Sequence, residues 1–290
     1  QRLLVSGSLP ELGKNTPAKA VPMEYVSNGE WRLVLNVKKA TSFNYKYLLF
    51  DEATKNYTEE YMPQRTAMLA EGSTSCFLDD TWRSNGIDKT FYSAAFTEGL
   101  ILRTKKAQKL GDLVSPTTLV FSISAPRVAS DFQMAIIGNI KELGNWDEKK
   151  ALVMSDQQFP MWQVAVDATE LTGVIEYKYV IYDTKTKSIV SWEEGDNRSI
   201  DASQIKGGMT YNRNDEVFRY GIAPWKCTGV AIPVFSLRTN GSFGIGEYAD
   251  LRKMSDWAKV TGQKIIQTLP ITDTTRFRTN ADSYPYSSIT

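Results

Sequence analysis

The chain has 290 residues, with 34 basic and 33 acidic side chains, no histidine and a formal net charge of +1. That length accommodates two or three domains, and the charge balance gives no electrostatic reason to expect nucleic acid or an anionic membrane as partner. The lack of histidine excludes Ser-His-Asp and Cys-His nucleophile systems, and histidine metal sites, within these residues.

In chain order, the first clear signal is "WRLVLNV", where Trp31, Leu33, Leu35 and Val37 alternate with Arg32, Val34 and Asn36. Period two predicts a strand with one face buried and one wet. "NYKYLLF" at 44–50 is rich in aromatic and branched residues and reads as another strand. Residues 103–115 are polar and basic and read as a linker. "TTLVFSIS" at 117–124, "WQVAVDA" at 162–168 and "EYKYVIY" at 176–182 are further strands. Many short strands with polar turns predict a β-sandwich. After Ala223 the pattern changes. "VAIPVFSL" is an apolar run without alternation, as in a strand buried on both faces. "YADLRKMSDWAKVTG" places Leu251, Met254, Trp257, Ala258 and Val260 on one helical face, with Gly262 as a stop. "QKIIQTLPI" supplies the next strand, which makes a βαβ unit of a parallel sheet. The glycine-rich "GSFGIGEY" lacks both phosphate-loop spacings and reads as a tight strand-to-helix turn. No apolar stretch is long enough to span a bilayer, and no secretory signal is visible at the N-terminus. Cys76 and Cys227 lie far apart in different units, so a disulfide framework is not expected and a reducing compartment is mildly favoured.

Residues 2–65 and 134–198 repeat one template. Gly7 aligns with Gly138, Trp31 with Trp162, Lys46 with Lys178 and Arg65 with Arg198. Trp146 and Trp192 of the later copy meet Asn15 and Glu59 of the earlier one, and Gln64 meets Asn197. The strand at 117–124 has no counterpart before Gln1, so the earlier copy is expected to lack its first strand.

The motifs "GN…LGNWD", "EYKY" and "WEEGDNR" of the later copy resemble the family 20 starch-binding modules, over 116–222. The resemblance implies an immunoglobulin-like β-sandwich in which Trp146 and Trp192 form a flat platform for an α-glucan. Lys178 and Asn197 would bond sugar hydroxyls, with Glu193 beside them. Such a platform suits sugar, because a rigid aromatic covers the apolar C–H face while fixed polar groups read the edge. Lys178 is opposite in parity to Tyr177 and Tyr179, which puts it on the other strand face. Trp162 matches the tryptophan of the family's second sugar site, although its parity with Val164 and Val166 equally suits a core position. In the earlier copy Trp31 and Lys46 remain as carbohydrate-binding candidates. Both platform tryptophans are gone there, with Tyr57 and Tyr61 as the aromatic replacements at hand, so its main sugar site is expected to be weak or lost.

"GVAIPVFSLRTNGSFGIGEYADL", "TLPITDT" and "DSYPYSS" resemble the start of the family 77 glycoside hydrolases, the 4-α-glucanotransferases. This implies the first βαβ unit of a (β/α)8 barrel, with Asp282, Ser283 and Tyr286 on a loop bordering the acceptor subsite. The reaction implied is retaining transglycosylation, in which a carboxylate attacks the anomeric carbon and an acceptor sugar resolves the covalent intermediate. No catalytic carboxylate is assigned within these residues, and Asp250 is expected to stabilise a helix N-terminus. The expected layout is mainly β: a first sandwich at 1–102, a linker at 103–115, a second sandwich at 116–222 and a truncated barrel start at 223–290. Expected partners are starch or glycogen, maltose and malto-oligosaccharides, with no cofactor or metal. The chain itself is expected to bind glucan without transferring it. The competing readings are a non-catalytic glycan-tethering protein with an unrelated α/β end, and a single-stranded nucleic-acid binder, which the charge balance disfavours.

Overall fold

The computed structural model describes residues 1–37, 42–61, 64–83, 91–101, 115–221 and 226–271, with Phe277 and Thr279. Asp282, Ser283 and Tyr286, and all of the expected linker but Ser115, lie outside the described residues. The chain divides into two compact units, Gln1–Ile222 and Ala223–Thr290.

The first unit holds two β modules. Its strands are β1 (Arg2–Gly7), β2 (Val21–Pro22), β3 (Glu24–Ser27), β4 (Glu30–Arg32), β5 (Ser42–Phe50), β6 (Tyr57–Glu59), β7 (Arg65–Met68) and β8 (Ser75–Asp80) in the first module. In the second they are β9 (Thr118–Ser124), β10 (Gln133–Gly138), β11 (Leu152–Val153), β12 (Ser155–Gln158), β13 (Met161–Asp167), β14 (Val174–Asp183), β15 (Ser188–Trp192), β16 (Arg198–Asp201) and β17 (Met209–Val217). The repeat is visible in the pairing. One sheet runs β2-β1-β5-β6 with β7 on β5, and the other runs β11-β10-β14-β15 with β16 on β14. The aligned glycines recur because backbone crosses close by: a Cβ on Gly7 would lie 2.6 Å from the Asn44 carbonyl, and one on Gly138 would lie 2.4 Å from that of Glu176.

A third sheet, β12-β13-β9-β17-β8, joins the modules, because β8 of the first pairs in parallel with β17 of the second. The two sandwiches were expected as separate domains, but they share a sheet and form one unit. One face of that sheet carries Leu119, Phe121, Ile123, Trp162, Val164 and Tyr211 into the second module's core. The opposite face, expected to be wet, is buried and polar: Ser122, Ser124, Gln163, Thr210, Asn212 and Asn214 are each at most 6% exposed. The first module covers it. Asn212 bonds both backbone groups of Met68 at 3.0 Å, and the Thr210 hydroxyl accepts from the Ala70 amide at 2.9 Å. Polar groups are tolerated here because each bond replaces a lost water contact, for a net gain of about 1 kcal/mol apiece. In the first module the β4 ladder ends at Arg32 although its side-chain alternation continues: Leu33 and Leu35 pack on the core and Val34 is exposed. The matching β13 runs to Asp167 because β9 lies beside it, whereas among the described residues β4 pairs only with β3.

Each module also buries one acid–arginine–tyrosine cluster. Asp80 accepts from the Tyr45 and Tyr47 hydroxyls at 2.7 Å and from Arg65 at 2.9 Å, and Arg65 grips Glu60 at 2.7 Å. Asp215 accepts from Tyr177 at 2.8 Å and Tyr179 at 2.9 Å and pairs with Arg198 at 3.0 Å, and Arg198 grips Glu193 at 2.9 Å. Burial works against the Arg65 and Arg198 charges, but the surrounding acids outweigh it and hold both guanidinium groups more firmly protonated than usual. Burial, reinforced by the neighbouring aspartate, pushes all four tyrosine hydroxyls well above their ordinary value.

In the second unit, β18 (Gly229–Ala231) and β19 (Ile265–Gln267) are parallel, with α1 (Asp250–Val260) between them in sequence. The expected βαβ order is present, but the first strand is short. Pro233, with φ −72° and no amide proton, ends it, and a 3-10 turn at Val234–Ser236 follows. On α1, Ala258 is buried and Leu251 and Met254 half-buried, whereas Trp257 and Val260, expected on the same face, are exposed. Asp250 caps the turn before the helix: its carboxylate accepts from Thr239 and Ser242 at 2.7 Å and from the Glu247 amide at 2.9 Å. Those bonds, led by the Glu247 amide, hold its carboxyl below the usual range.

Candidate functional site

The outer face of β10, β14 and β15 is built from alternate residues. Register places Ala135 opposite both Val153 and Val180, and Val180 opposite Trp192, so these four side chains form a row across the sheet. Ala135, Ile137, Ala151, Val180 and Tyr182 form an apolar floor, and Trp146 packs against it while staying half-exposed. Trp192 stands on the same face with 39% of its surface exposed. Trp146 sits at φ 61° at the end of the 3-10 segment Lys141–Trp146. A bulky residue in the left-handed region costs about 1–2 kcal/mol, so this position gives up stability to aim an indole outward. Asn15 occupies the equivalent place in the first module at φ 60°, which asparagine adopts more cheaply.

The polar rim follows from the same parity. Lys178 shares the face of Val180, opposite Tyr177 and Tyr179, which are fully buried. Its ammonium donates to the Gly195 carbonyl at 2.5 Å and to that of Glu193 at 3.4 Å, so it ties down the loop after Trp192. Asn197, on that loop, is exposed and donates to Glu176 at 3.2 Å. Trp146, Trp192, Lys178 and Asn197 thus converge on one exposed surface with an apolar centre and a polar margin.

Two sequence expectations are corrected. Glu193 does not face that surface: its side chain is fully buried, bound by Arg198, by Arg219 at 2.9 Å and by the Tyr179 amide at 2.9 Å. A carboxylate so enclosed cannot reach a sugar, and it stands behind the loop instead. Trp162 is 0% exposed, its indole N–H donates to the Ala125 carbonyl at 3.0 Å, and its ring meets Phe159 edge-on. It belongs to the core, as its parity with Val164 and Val166 allowed. Trp31, its first-module counterpart, is half-exposed and packs edge-on against the exposed Tyr25 at 5.3 Å. The buried aspartates Asp80 and Asp215, and Arg219, were missed. Their one sequence signal was the recurrence of the terminal arginine, Arg65 and Arg198.

The first module lacks the platform and closes its rim on itself. Lys46 pairs with Glu59 at 2.5 Å, where the second module has Lys178 and Trp192. Gln64 donates to Asn15 at 3.1 Å, and Tyr57 packs against Phe50 with ring centres 4.8 Å apart. Tyr61 packs edge-on against Tyr92. Tyr57, 40% exposed, is thus the exposed aromatic of that rim, whereas Tyr61 is half-buried.

Comparison with known proteins gives a consistent picture. The family described as starch binding domain matches residues 1–77 and 116–210, and the family described as 4-alpha-glucanotransferase matches residues 232–290. The 4-alpha-glucanotransferase DPE2 of Oryza sativa subsp. japonica is 28% identical over the whole of this chain, which spans 32% of that protein's length. A 4-alpha-glucanotransferase of Chlamydia muridarum is 46% identical over 61 residues, 21% of this chain and 11% of that protein. Among solved structures, the family 20 module of a maltotetraose-forming amylase from Pseudomonas saccharophila is 19% identical, with a TM-score of 0.28 over 33% of this chain and 99% of its own.

Proposed function

The chain belongs to the starch binding domain family, and from that premise we propose that its second module binds α-glucan through Trp146, Trp192, Lys178 and Asn197. The observation that carries this reading is the pair of solvent-facing indoles over one apolar floor, one of them held at φ 61°. Sugar rings would lie with their C–H faces on the indoles, and Lys178 and Asn197 would read hydroxyls at the margin. Association would bury rigid aromatic surface, so little side-chain entropy is lost on binding. The first module acts mainly as a structural partner that covers the shared sheet, with Tyr25, Trp31 and Tyr57 as aromatic contact surface.

The wider reading is that these residues hold starch, glycogen or malto-oligosaccharides for a 4-alpha-glucanotransferase in the cytoplasm. The match at residues 232–290 and the rice relative support it. The transfer step would be a retaining exchange between an α-glucan donor and an acceptor sugar. No described carboxylate is offered as nucleophile or acid. Asp250 is committed to its cap, and Glu193 and Asp215 to arginines.

Affinity electrophoresis in amylopectin tests the binding assignment. Wild type should be retarded, and Trp146→Ala and Trp192→Ala should each lose most of that retardation. Equal mobility of all three proteins would rule the platform out. Glucose release from maltose with glycogen as acceptor, assayed on the protein carrying these residues, tests the wider reading. Retardation without glucose release would favour a tethering role.

A further inference from the structure

We propose that Arg219 is a positioning residue for the glucan-binding loop 193–197, acting from behind it without touching sugar. This inference rests on the α-glucan reading of the second module. The loop follows Trp192 and carries Asn197, so its shape sets where the aromatic plate and the amide stand relative to each other. Two cations grip it at consecutive carbonyls. Lys178 takes the Gly195 carbonyl at 2.5 Å, and the Arg219 Nη2 takes that of Asp196 at 2.6 Å. The same guanidinium donates from Nε to the buried Glu193 carboxylate at 2.9 Å, and the Arg219 carbonyl accepts the Glu194 amide at 2.8 Å. Gly195, at φ 77°, lets the loop pass close by: a Cβ there would lie 3.1 Å from the Arg219 Nη1.

Arginine is required by this geometry. Its planar fork reaches a side-chain carboxylate and a backbone carbonyl at once, whereas a lysine ammonium is a single point charge. The pairing of the buried Glu193 does not depend on it alone. Without Arg219, Glu193 keeps Arg198, bound at 3.1 Å through Nε and 2.9 Å through Nη2, and keeps the Tyr179 amide at 2.9 Å. Losing Arg219 therefore loosens the loop while the buried acid stays paired. The ligand must then order Trp192 and Asn197 as it binds, and that cost appears in affinity.

The test uses the full chain, maltoheptaose as probe, and amide hydrogen exchange as the readout that separates positioning from folding. Arg219→Met should weaken maltoheptaose binding about tenfold. It should speed exchange in the 193–197 segment while leaving β9 and β14 unchanged. Arg219→Lys, which keeps the charge beside Glu193, should recover part of the affinity. If Arg219→Met binds within about twofold of wild type while Trp192→Ala does not bind, the positioning role is wrong and the platform stands. Faster exchange throughout the second module would mean that Arg219 serves folding, which also overturns the proposal. If Trp192→Ala binds as wild type does, the α-glucan reading itself falls, and this inference with it.

Discussion

Removing the Asp80 carboxylate should cost far more than removing an exposed acid from the same module. Asp80 accepts at one oxygen from the Tyr45 and Tyr47 hydroxyls, both at 2.7 Å. At the other it accepts from Arg65 at 2.9 Å and from Asn214 of the second module at 2.6 Å. Its side chain is 4% exposed and that of Arg65 is 2% exposed, so water cannot replace the lost partner. Breaking one side of a buried pair typically costs about 3–5 kcal/mol. Arg65 keeps Glu60, which lowers the loss, but two tyrosine hydroxyls lose their acceptor, which raises it. We expect about 4 kcal/mol for Asp80→Ala, or about 8–16 °C in Tm for a cooperative unit of this size. Asp80→Asn keeps an acceptor for the tyrosines without the charge and should fall between. Glu59→Gln is the control: the Lys46–Glu59 pair is surface-exposed on the glutamate side, and such pairs contribute about 0–1 kcal/mol. Calorimetry of the three variants decides. An Asp80→Ala transition no lower than that of Glu59→Gln would refute the view that this cluster anchors the first module.

Other outcomes follow from the same contacts. Trp162→Ala should destabilise the unit by about 3–5 kcal/mol in urea unfolding, and the folded fraction should still bind amylopectin. Loss of binding at full stability would return Trp162 to a sugar site. Burial, with Asp80 adding to it, pushes the Cys76 thiol up from 9.0 to about 12; the Tyr45 and Tyr47 hydroxyls rise for the same reasons, and that of Tyr179 through burial and Asp215. The folded state therefore holds these protons longer than the unfolded chain does. Stability should be indifferent to these groups below pH 9 and fall as pH climbs toward about 12. Urea midpoints measured across that range check the sign. A midpoint that rises with alkalinity would contradict it, and so would rapid labelling of Cys76 in the folded protein at pH 9.

Much of the site was legible because strand parity is a local property. Lys178 lies between Tyr177 and Tyr179, so period two alone puts it on the outer face, and register then places Trp192 on the same side. The asymmetry of the repeat was equally legible, since Asn15 and Glu59 stand where Trp146 and Trp192 do. What parity cannot report is what covers a face. Gln163 read as solvent-facing and is buried, together with Ser122 and Asn214, because β8, far away in sequence, adds itself to β17. The short β18 shows the same limit locally: the apolar run read as a strand buried on both faces, but Gly229 and Ala231 are exposed and Pro233 stops the ladder.

The amino-acid sequence by itself determined the β modules, which side chains share a strand face and the presence of the Trp146 and Trp192 pair in one copy alone, because each is written in periodicity or in residues close along the chain. Only the tertiary structure decided that the modules share a sheet, that Trp162 belongs to the core and that the Glu193 side chain turns inward, away from the surface it was expected to line. Those outcomes depend on which distant groups close over a side chain. Arg198, Arg219 and the Tyr179 amide meet at Glu193 through folding, and no local pattern encodes that burial and pairing.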